Sequence, residues 1–248
     1  MCGVLQCEGS RSQNTEKDTV ACDNEVLQAS LYRDASSDDI AVMLERRKSF
    51  FLLKRLFDVV FSSAALVVFS PLLAVIAVAI KIDDPNGPVF FMQERVGKDG
   101  EPFQIYKFRS MVSDAEDKLQ DLQNLNEKTY PLFKISDDPR ITRVGKVLRK
   151  TSMDEYPQFL NVLCGQMSVV GPRPALPKEV AEYSDYQRLR LLVKPGITCY
   201  WQTCRNRDLI DLDEWVELDL RYIRECSIWT DLKVIARTVG VVLTAQGS

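Results

Sequence analysis

Two adjacent carboxylates, Asp154 and Glu155, are the residues of this 248-residue chain whose types most directly suggest chemistry. Pro157 follows them, and because proline lacks an N–H it fits only the first turn of a helix, so a helix is predicted to begin near Asp154. The positive end of the helix dipole should keep Asp154 ionised. One carboxylate can then attack an electrophile while the other holds a divalent metal. The alternative is an ordinary capping box.

Positively charged residues accompany this pair in the sequence. Lys107 and Arg109 follow a predicted strand, Arg173 lies in a turn held by two prolines, and Arg205 adds further charge. Diphosphate chemistry requires several cations that converge on phosphate oxygens, together with Mg²⁺ to neutralise developing charge. The combination favours a site for phosphate chemistry, although each of these cations alone is typical of a protein surface.

Composition excludes several other kinds of site. The chain contains no histidine, which removes Ser-His-Asp triads, imidazole bases and histidine-ligated zinc. A net charge of −3 and a pI near 5.3 argue against a nucleic-acid-binding protein.

One apolar stretch must place this chemistry at a membrane. Residues 56–80 are almost continuously apolar, long enough to cross a hydrocarbon core of about 30 Å. Ser70-Pro71 lies near the centre, and proline kinks a helix. Lys54-Arg55 and Lys81 flank the two ends; since positive charge marks the cytoplasmic side, a re-entrant helix that bends at Ser70-Pro71 is favoured. A straight span and a buried soluble helix are the alternatives.

The remaining elements predict an α+β fold that is mostly helical. Residues 89–93 and 102–106 read as a small β-hairpin, a helix is predicted from Ser113, and residues 141–150 form a basic amphipathic helix suited to a membrane surface. The apolar residues 232–243 suit an interface or a packed core. Three regions follow: a variable, partly disordered extension (1–48), the re-entrant membrane helix (49–82) and a catalytic domain (83–248).

A series of short motifs is more specific than these patterns of composition and periodicity. From about Phe51 onward, their order resembles the bacterial sugar transferase family, the small monotopic phosphoglycosyl transferases. In sequence order the motifs are Lys54-Arg55-Leu-Phe-Asp58, Gln93-Glu-Arg-Val-Gly97, Lys107-Phe-Arg-Ser-Met111, Thr151-Ser-Met-Asp-Glu-Tyr-Pro-Gln158, Met167-Ser-Val-Val-Gly-Pro-Arg-Pro174, Lys194-Pro-Gly-Ile-Thr198 and Asp231-Leu-Lys233. Departures from the usual family pattern are Tyr156 in place of leucine and Cys199-Tyr-Trp-Gln202.

The resemblance implies a re-entrant helix broken at Ser70-Pro71 and a catalytic domain that lies on interfacial helices at the cytoplasmic face of the bacterial inner membrane. It implies that Asp154 is the nucleophile and that Glu155 is the Mg²⁺ ligand. The further active-site positions that it implies are Lys107, Arg149, Arg173, Arg205 and Asp231.

The expected reaction transfers a sugar-1-phosphate from a UDP-sugar to undecaprenyl phosphate through an aspartyl phosphosugar intermediate and releases UMP. It would be the first membrane step of capsule, exopolysaccharide or glycoconjugate synthesis. A metal-dependent diphosphate hydrolase and a non-catalytic membrane scaffold are the alternatives. The bilayer is an expected partner, nucleic acid is not, a homodimer is left open, and the sequence leaves the sugar undetermined.

Overall fold

Helices dominate this fold, with two pairs of short strands between them. The computed structural model describes residues 37–119, 121–127, 135, 137–204 and 212–243. The helices there are α1 (Ser37–Arg46), α2 (Lys48–Asp83), α3 (Arg143–Lys150), α4 (Gln158–Leu163), α5 (Pro177–Ala181), α6 (Asp185–Arg188), α7 (Leu212–Glu225) and α8 (Ile228–Leu243). The strands are β1 (Phe90–Val96), β2 (Pro102–Phe108), β3 (Ser168–Val170) and β4 (Gly196–Thr198).

Helix α2 is the long apolar helix that the sequence predicts. Among the described residues it alone is long and apolar enough to cross a membrane, and only 11% of its most apolar 18-residue window is buried. Leu52, Val67 and Ile82 are each more than 70% exposed. A core helix of a soluble protein would bury such residues, so the buried-soluble-helix alternative does not fit.

Pro71 lies inside α2, and the residue before it compensates for the missing hydrogen bond. Proline has no N–H to donate to the carbonyl four residues earlier, which is that of Val67. The Ser70 hydroxyl donates to this same carbonyl at 2.8 Å. The Ser-Pro pair therefore supplies the Val67 carbonyl with a hydrogen-bond donor. A carbonyl without a donor would be costly in the middle of an apolar segment.

A polar stripe near the start of α2 docks the helix against the rest of the fold. The buried Lys54 ammonium contacts the Asp231 carboxylate of α8 at 2.5 Å, and the Tyr222 hydroxyl donates to the other oxygen of Asp231 at 2.8 Å. One turn later, Asp58 accepts a hydrogen bond from the backbone N–H of Val169 at 3.0 Å. These polar side chains are stable in an apolar helix because each has a buried partner.

The end of α2 packs against the same domain as its beginning. Ile76 and Ile80 lie in a small apolar cluster with Phe108 of β2 and Leu148 of α3. The Asp83 carboxylate accepts from the backbone N–H of Val144 at 2.9 Å. Both halves of the long helix therefore contact the domain formed by residues 84–243.

The two strand pairs position most of the remaining residues. Strands β1 and β2 form an antiparallel hairpin in which Phe90 pairs with Phe108, as the sequence predicts. Strands β3 and β4 are parallel, with Ser168 opposite Gly196, and this pair was not predicted from the sequence. Its neighbour α7 buries Leu218 and Leu220 completely in the main core.

The segment that starts at Ser113 corrects one prediction. In place of an α-helix it forms turns and short 3₁₀ segments at Asp117–Leu119 and Gln123–Leu125. The acids that suggested a helix start are exposed, and a short helix without an apolar face to bury is only marginally stable. The basic helix was predicted correctly: α3 begins after Thr142, whose hydroxyl accepts from the Gly145 N–H at 3.0 Å.

The buried pair of Lys54 and Asp231 predicts a specific pattern of stability. Lys54→Met or Asp231→Asn should each lower the free energy of unfolding by about 3–5 kcal/mol, because each leaves one buried group without its partner. The double variant Lys54→Met/Asp231→Asn should lose less than the sum of the two single losses, because neither group is then left as an unpaired buried charge. Thermal unfolding of the four proteins in one detergent measures the coupling, and strictly additive losses would contradict it.

Candidate functional site

The carboxylate pair lies in a 3₁₀ turn between α3 and α4. This turn comprises Met153–Glu155, and α4 begins only at Gln158, so the predicted helix start near Asp154 is wrong. The reason lies in Pro157, which cannot donate to the Met153 carbonyl; instead, the Tyr156 N–H bonds to that carbonyl at 3.3 Å. The α-helix can propagate only beyond the proline.

A left-handed residue precedes the pair. Ser152 has a φ of 55°, a region that non-glycine residues seldom occupy. Its conformation reverses the chain after α3, so that the turn packs against β2. Local backbone strain of this kind is concentrated at functional sites.

Glu155 is held as an ionised carboxylate. Its Oε1 contacts the Lys107 ammonium, at the end of β2, at 2.6 Å. Burial alone would raise the pKa of Glu155, but the Lys107 charge and hydrogen bond outweigh burial and lower it, with help from Arg173 and Gln158. This carboxylate is therefore negative at neutral pH.

The pKa of Asp154 is shifted in the opposite direction. Burial raises its pKa to about 6, the attraction of Lys107 opposes this shift, and the neighbouring charge of Glu155 adds to it. The prediction that the helix dipole fixes its charge is replaced by a balance in which desolvation is the largest effect. At pH 7 Asp154 is still mostly ionised, and the removal of water makes it a better base and nucleophile than an exposed carboxylate.

Two arginines face the same small cleft as Glu155 and Lys107. Burial, followed by the charge of Arg173, lowers the pKa of Arg95 to about 10. Arg95 donates to the Pro174 carbonyl at 3.0 Å, whereas Arg173 lies over the Trp215 ring at 5.3 Å. The buried Glu179 carboxylate contacts Arg173 at 3.4 Å and offsets part of this charge. Two arginines beside one carboxylate still favour a further anion in the cleft.

The structure brings together only part of the predicted set. Glu155, Lys107 and Arg173 line one cleft, and Arg149 lowers the pKa of Asp154 through its charge. Arg109 is buried beside the end of α2, where it donates to the Asp84 carbonyl at 2.6 Å.

One other predicted position lies elsewhere, and one is not described. The contacts of Asp231 are with Lys54 and Tyr222 in the stripe that docks α2, away from the cleft that Glu155 lines. Arg205 lies outside the described residues.

Sequence reasoning missed three residues that line the cleft, Arg95, Gln158 and Gln202. Arg95 belongs to a motif that carries the family resemblance, but a strand arginine has no local signal that distinguishes it from a surface charge. Gln158 is 2% exposed, and its position beside Glu155 follows only from the turn at Pro157.

Tyr156 connects the carboxylate pair to the middle of α2. Its ring meets that of Phe69 edge-on, with centroids 5.1 Å apart and planes at 83°. Phe69 directly precedes Ser70-Pro71, and Tyr156 directly follows Glu155. The turn that carries Asp154 and Glu155 is thus in contact with the proline-containing turn of the long helix.

The donor set suits Mg²⁺ that arrives with a phosphate ligand. Within the described ranges, no group of three or more Asp, Glu, Cys or His side chains could hold a metal ion. Protein sites for Mg²⁺ commonly provide only one or two carboxylates, and substrate phosphates and water complete the octahedron. Glu155 meets that requirement because it is ionised, and Asp154 offers a second carboxylate beside it.

Most of the chain is similar to known proteins. Residues 49–245 match the family described as bacterial sugar transferase. Galactosyl transferase CpsE of Streptococcus agalactiae is 50% identical over 168 residues, which are 68% of this chain and 37% of the relative.

Two further relatives carry more explicit names. The undecaprenyl-phosphate galactose phosphotransferase of Salmonella typhimurium is 41% identical over 83% of this chain and 43% of its own length. The UDP-glucose:undecaprenyl-phosphate glucose-1-phosphate transferase of Escherichia coli is 44% identical over 76% of this chain and 39% of its own. The chain therefore spans less than half the length of these three curated relatives.

The contrasting pKa shifts of Asp154 and Glu155 predict that replacing each carboxylate by its amide has opposite effects on the stability of the fold. Folded Asp154 binds its proton more tightly than the unfolded chain does, and this contribution to stability is lost as the pH rises from 3.8 through about 6. Asp154→Asn should therefore stabilise the fold at pH 7.5, by up to about 3 kcal/mol, and have little effect at pH 3.5. Unfolding in detergent at both pH values measures this.

Glu155→Gln is the matched comparison. Because the pKa of Glu155 is lowered, the ionised form stabilises the fold at neutral pH, and its amide should destabilise the protein there by leaving Lys107 unpaired. A lower stability for both variants at pH 7.5 would contradict the assignment for Asp154.

Proposed function

This chain belongs to the bacterial sugar transferase family, and from that premise we propose that it transfers a sugar-1-phosphate from a UDP-sugar to undecaprenyl phosphate. The names of its relatives supply the donor and acceptor classes. Galactose and glucose are accordingly the first sugars to test. The product, undecaprenyl-diphosphate-sugar, would begin the assembly of a capsule or exopolysaccharide.

The observation that carries this proposal is the division of roles within the carboxylate pair. The negative charge of Glu155 is paired with the Lys107 ammonium at 2.6 Å. Asp154 is desolvated instead, and its pKa is raised to about 6. Two carboxylates with different environments can perform two different tasks. Asp154 suits nucleophilic attack, and Glu155 suits the binding of a cation near the phosphates.

In the first half-reaction, an oxygen of Asp154 attacks the sugar-proximal phosphorus of the donor. The bond from this phosphorus to the bridging oxygen breaks, UMP leaves with the electron pair, and the phosphosugar becomes a mixed anhydride with Asp154. Lys107, Arg95 and Arg173 lie around the cleft where the diphosphate charge would develop, and they stabilise that charge electrostatically.

In the second half-reaction, a phosphate oxygen of the lipid attacks the same phosphorus. The bond to Asp154 breaks, and the carboxylate is regenerated. No proton has to be removed from either nucleophile, which agrees with the lack of histidine in the chain. A bound Mg²⁺, held by Glu155, would supply additional neutralisation of phosphate charge.

The contacts of α2 support a re-entrant arrangement in the bilayer. A straight helix of 36 residues would be about 54 Å long, and a vertical span would separate its two ends by the whole hydrocarbon core. Yet Asp58 near one end and Asp83 at the other bond the same domain. We therefore propose that both ends lie on one side, at the cytoplasmic face of the inner membrane, with Ser70-Pro71 at the turning point.

The chemistry predicts that Asp154→Asn abolishes turnover in a protein that still folds. Purified protein in nanodiscs should release UMP from UDP-galactose or UDP-glucose only with Mg²⁺, and a pre-steady-state burst of UMP should appear before the lipid is added. The native rate should rise with pH through about 6, because Asp154 must be ionised.

Asp137→Asn provides the matched control. The Asp137 side chain is 93% exposed, its ion-pair partner is Lys146, and it does not line the cleft. The variant should retain native turnover. Release of free sugar-1-phosphate instead of lipid-linked sugar would identify a hydrolase, and near-native turnover of Asp154→Asn would disprove the covalent scheme.

Topology can be tested independently of the chemistry. In a background without native cysteines, Leu52→Cys and Ile82→Cys place thiols at two sites of α2 that are each 75% exposed. In sealed, uniformly oriented vesicles, a membrane-impermeant maleimide should label both from the same side. Labelling from opposite sides would establish a straight span.

A further inference from the structure

A cavity of about 470 Å³ lies beside the beginning of α2. Helix α1, the first turns of α2, the end of α7 and the loop before β4 enclose it. It shares no lining residue with the cleft of Glu155 and Lys107. Its size falls within the range of ordinary ligand sites.

The walls of this cavity combine apolar surface with an excess of positive charge. Five lysine and arginine residues line it, against three aspartate and glutamate residues. Two of the lysines have close partners, since Lys54 binds Asp231 and Lys48 binds Glu45, each at 2.5 Å. Lys98 also lies beside Asp99, at 3.6 Å. The excess is therefore left on the two remaining cations, which share one lining carboxylate.

Arg55 and Lys194 form the centre of this charge. Arg55 donates to the carbonyls of Val162 and Leu163 at 2.5 and 2.8 Å, at the end of α4. Both cationic groups lie 3.6 Å from the position that a Cβ on Gly165 would occupy. The two heads are therefore within about 7 Å of each other, which costs free energy without an anion between them.

Lys194 is the unusual member of the pair. Its ammonium makes no hydrogen bond or ion pair with any residue in the described part of the chain, although the side chain is half-buried. Burial, and then the charge of Arg55, lower its pKa. A partly desolvated lysine is normally matched by an acceptor. Within the described ranges only the charge of Asp58 acts to keep Lys194 ionised, and no acceptor lies in hydrogen-bond contact with its ammonium, so the site can accept an anion from outside.

We propose that this cavity is a second anion site, which binds the phosphate of an anionic lipid. The phosphate would accept hydrogen bonds from Lys194 and Arg55, and its chains would leave the cavity past Phe51 along α2. Leu52 and Leu56 on these first turns are 75% and 61% exposed and provide the apolar path into the bilayer. The proposal does not depend on the reaction at Asp154.

Native mass spectrometry of the full chain, released from neutral detergent, tests this site. Dioleoyl phosphatidylglycerol is titrated beside dioleoyl phosphatidylcholine, undecaprenyl phosphate and inorganic phosphate. One or both anionic lipids should bind at least tenfold more tightly than phosphatidylcholine. Because undecaprenyl phosphate is also the proposed acceptor at the other site, the lipid whose binding depends on Lys194 identifies the source of the phosphate.

Lys194→Gln should weaken the binding of that lipid about tenfold, as expected for one charged hydrogen bond. Lys178→Gln is the matched control, because Lys178 is exposed on α5 and lines neither site. Lys194→Glu should provide Arg55 with an internal partner, raise the thermal midpoint of the lipid-free protein and abolish lipid selectivity. That midpoint also verifies that the variants fold.

Three results would overturn the proposal. The first is lipid binding by Lys194→Gln that equals native binding, which would place the lipid elsewhere. The second is equal affinity for phosphatidylcholine and both anionic lipids. The third is an affinity for inorganic phosphate that matches that for the lipids, which would mean that the site recognises free phosphate and uses no lipid chain.

Discussion

The contact between Lys54 and Asp231 is the interaction on which the remaining arrangement depends. A lysine in an apolar helix must find a buried partner, and this one finds it on α8. The contact fixes the rotation of α2 about its axis, so that Asp58 faces β3 and Arg55 reaches the end of α4. Since α4 follows the turn that carries Asp154 and Glu155, the docking of the long helix also determines where the carboxylate pair lies.

The sequence predicted those parts of the site that local chemistry determines. Lys107 and Glu155 belong to motifs with recognisable residue types, and the structure pairs them directly. The Ser70-Pro71 dipeptide is informative for a similar reason, because a proline and the hydroxyl that compensates for it are neighbours in the chain. The hairpin of β1 and β2 likewise follows from alternation and a glycine turn.

The rest could not be predicted, because it depends on burial and on long-range contacts. The raised pKa of Asp154 results from desolvation by distant segments, which outweighs the local dipole that sequence reasoning emphasised. Arg95 becomes part of the cleft only once β1 pairs with β2 and approaches Arg173. Strands β3 and β4 have three residues each, too few for a periodic pattern to appear.

The edge-on contact between Tyr156 and Phe69 has a consequence for the surroundings of the protein. A helix embedded in lipid adjusts its tilt and depth to the thickness of the hydrocarbon layer. In the proposed membrane arrangement, Phe69 would follow such an adjustment, and its ring contact with Tyr156 would pass it to the adjacent carboxylates. The acyl-chain length of the host membrane would then be one of the variables that set the depth of Asp154.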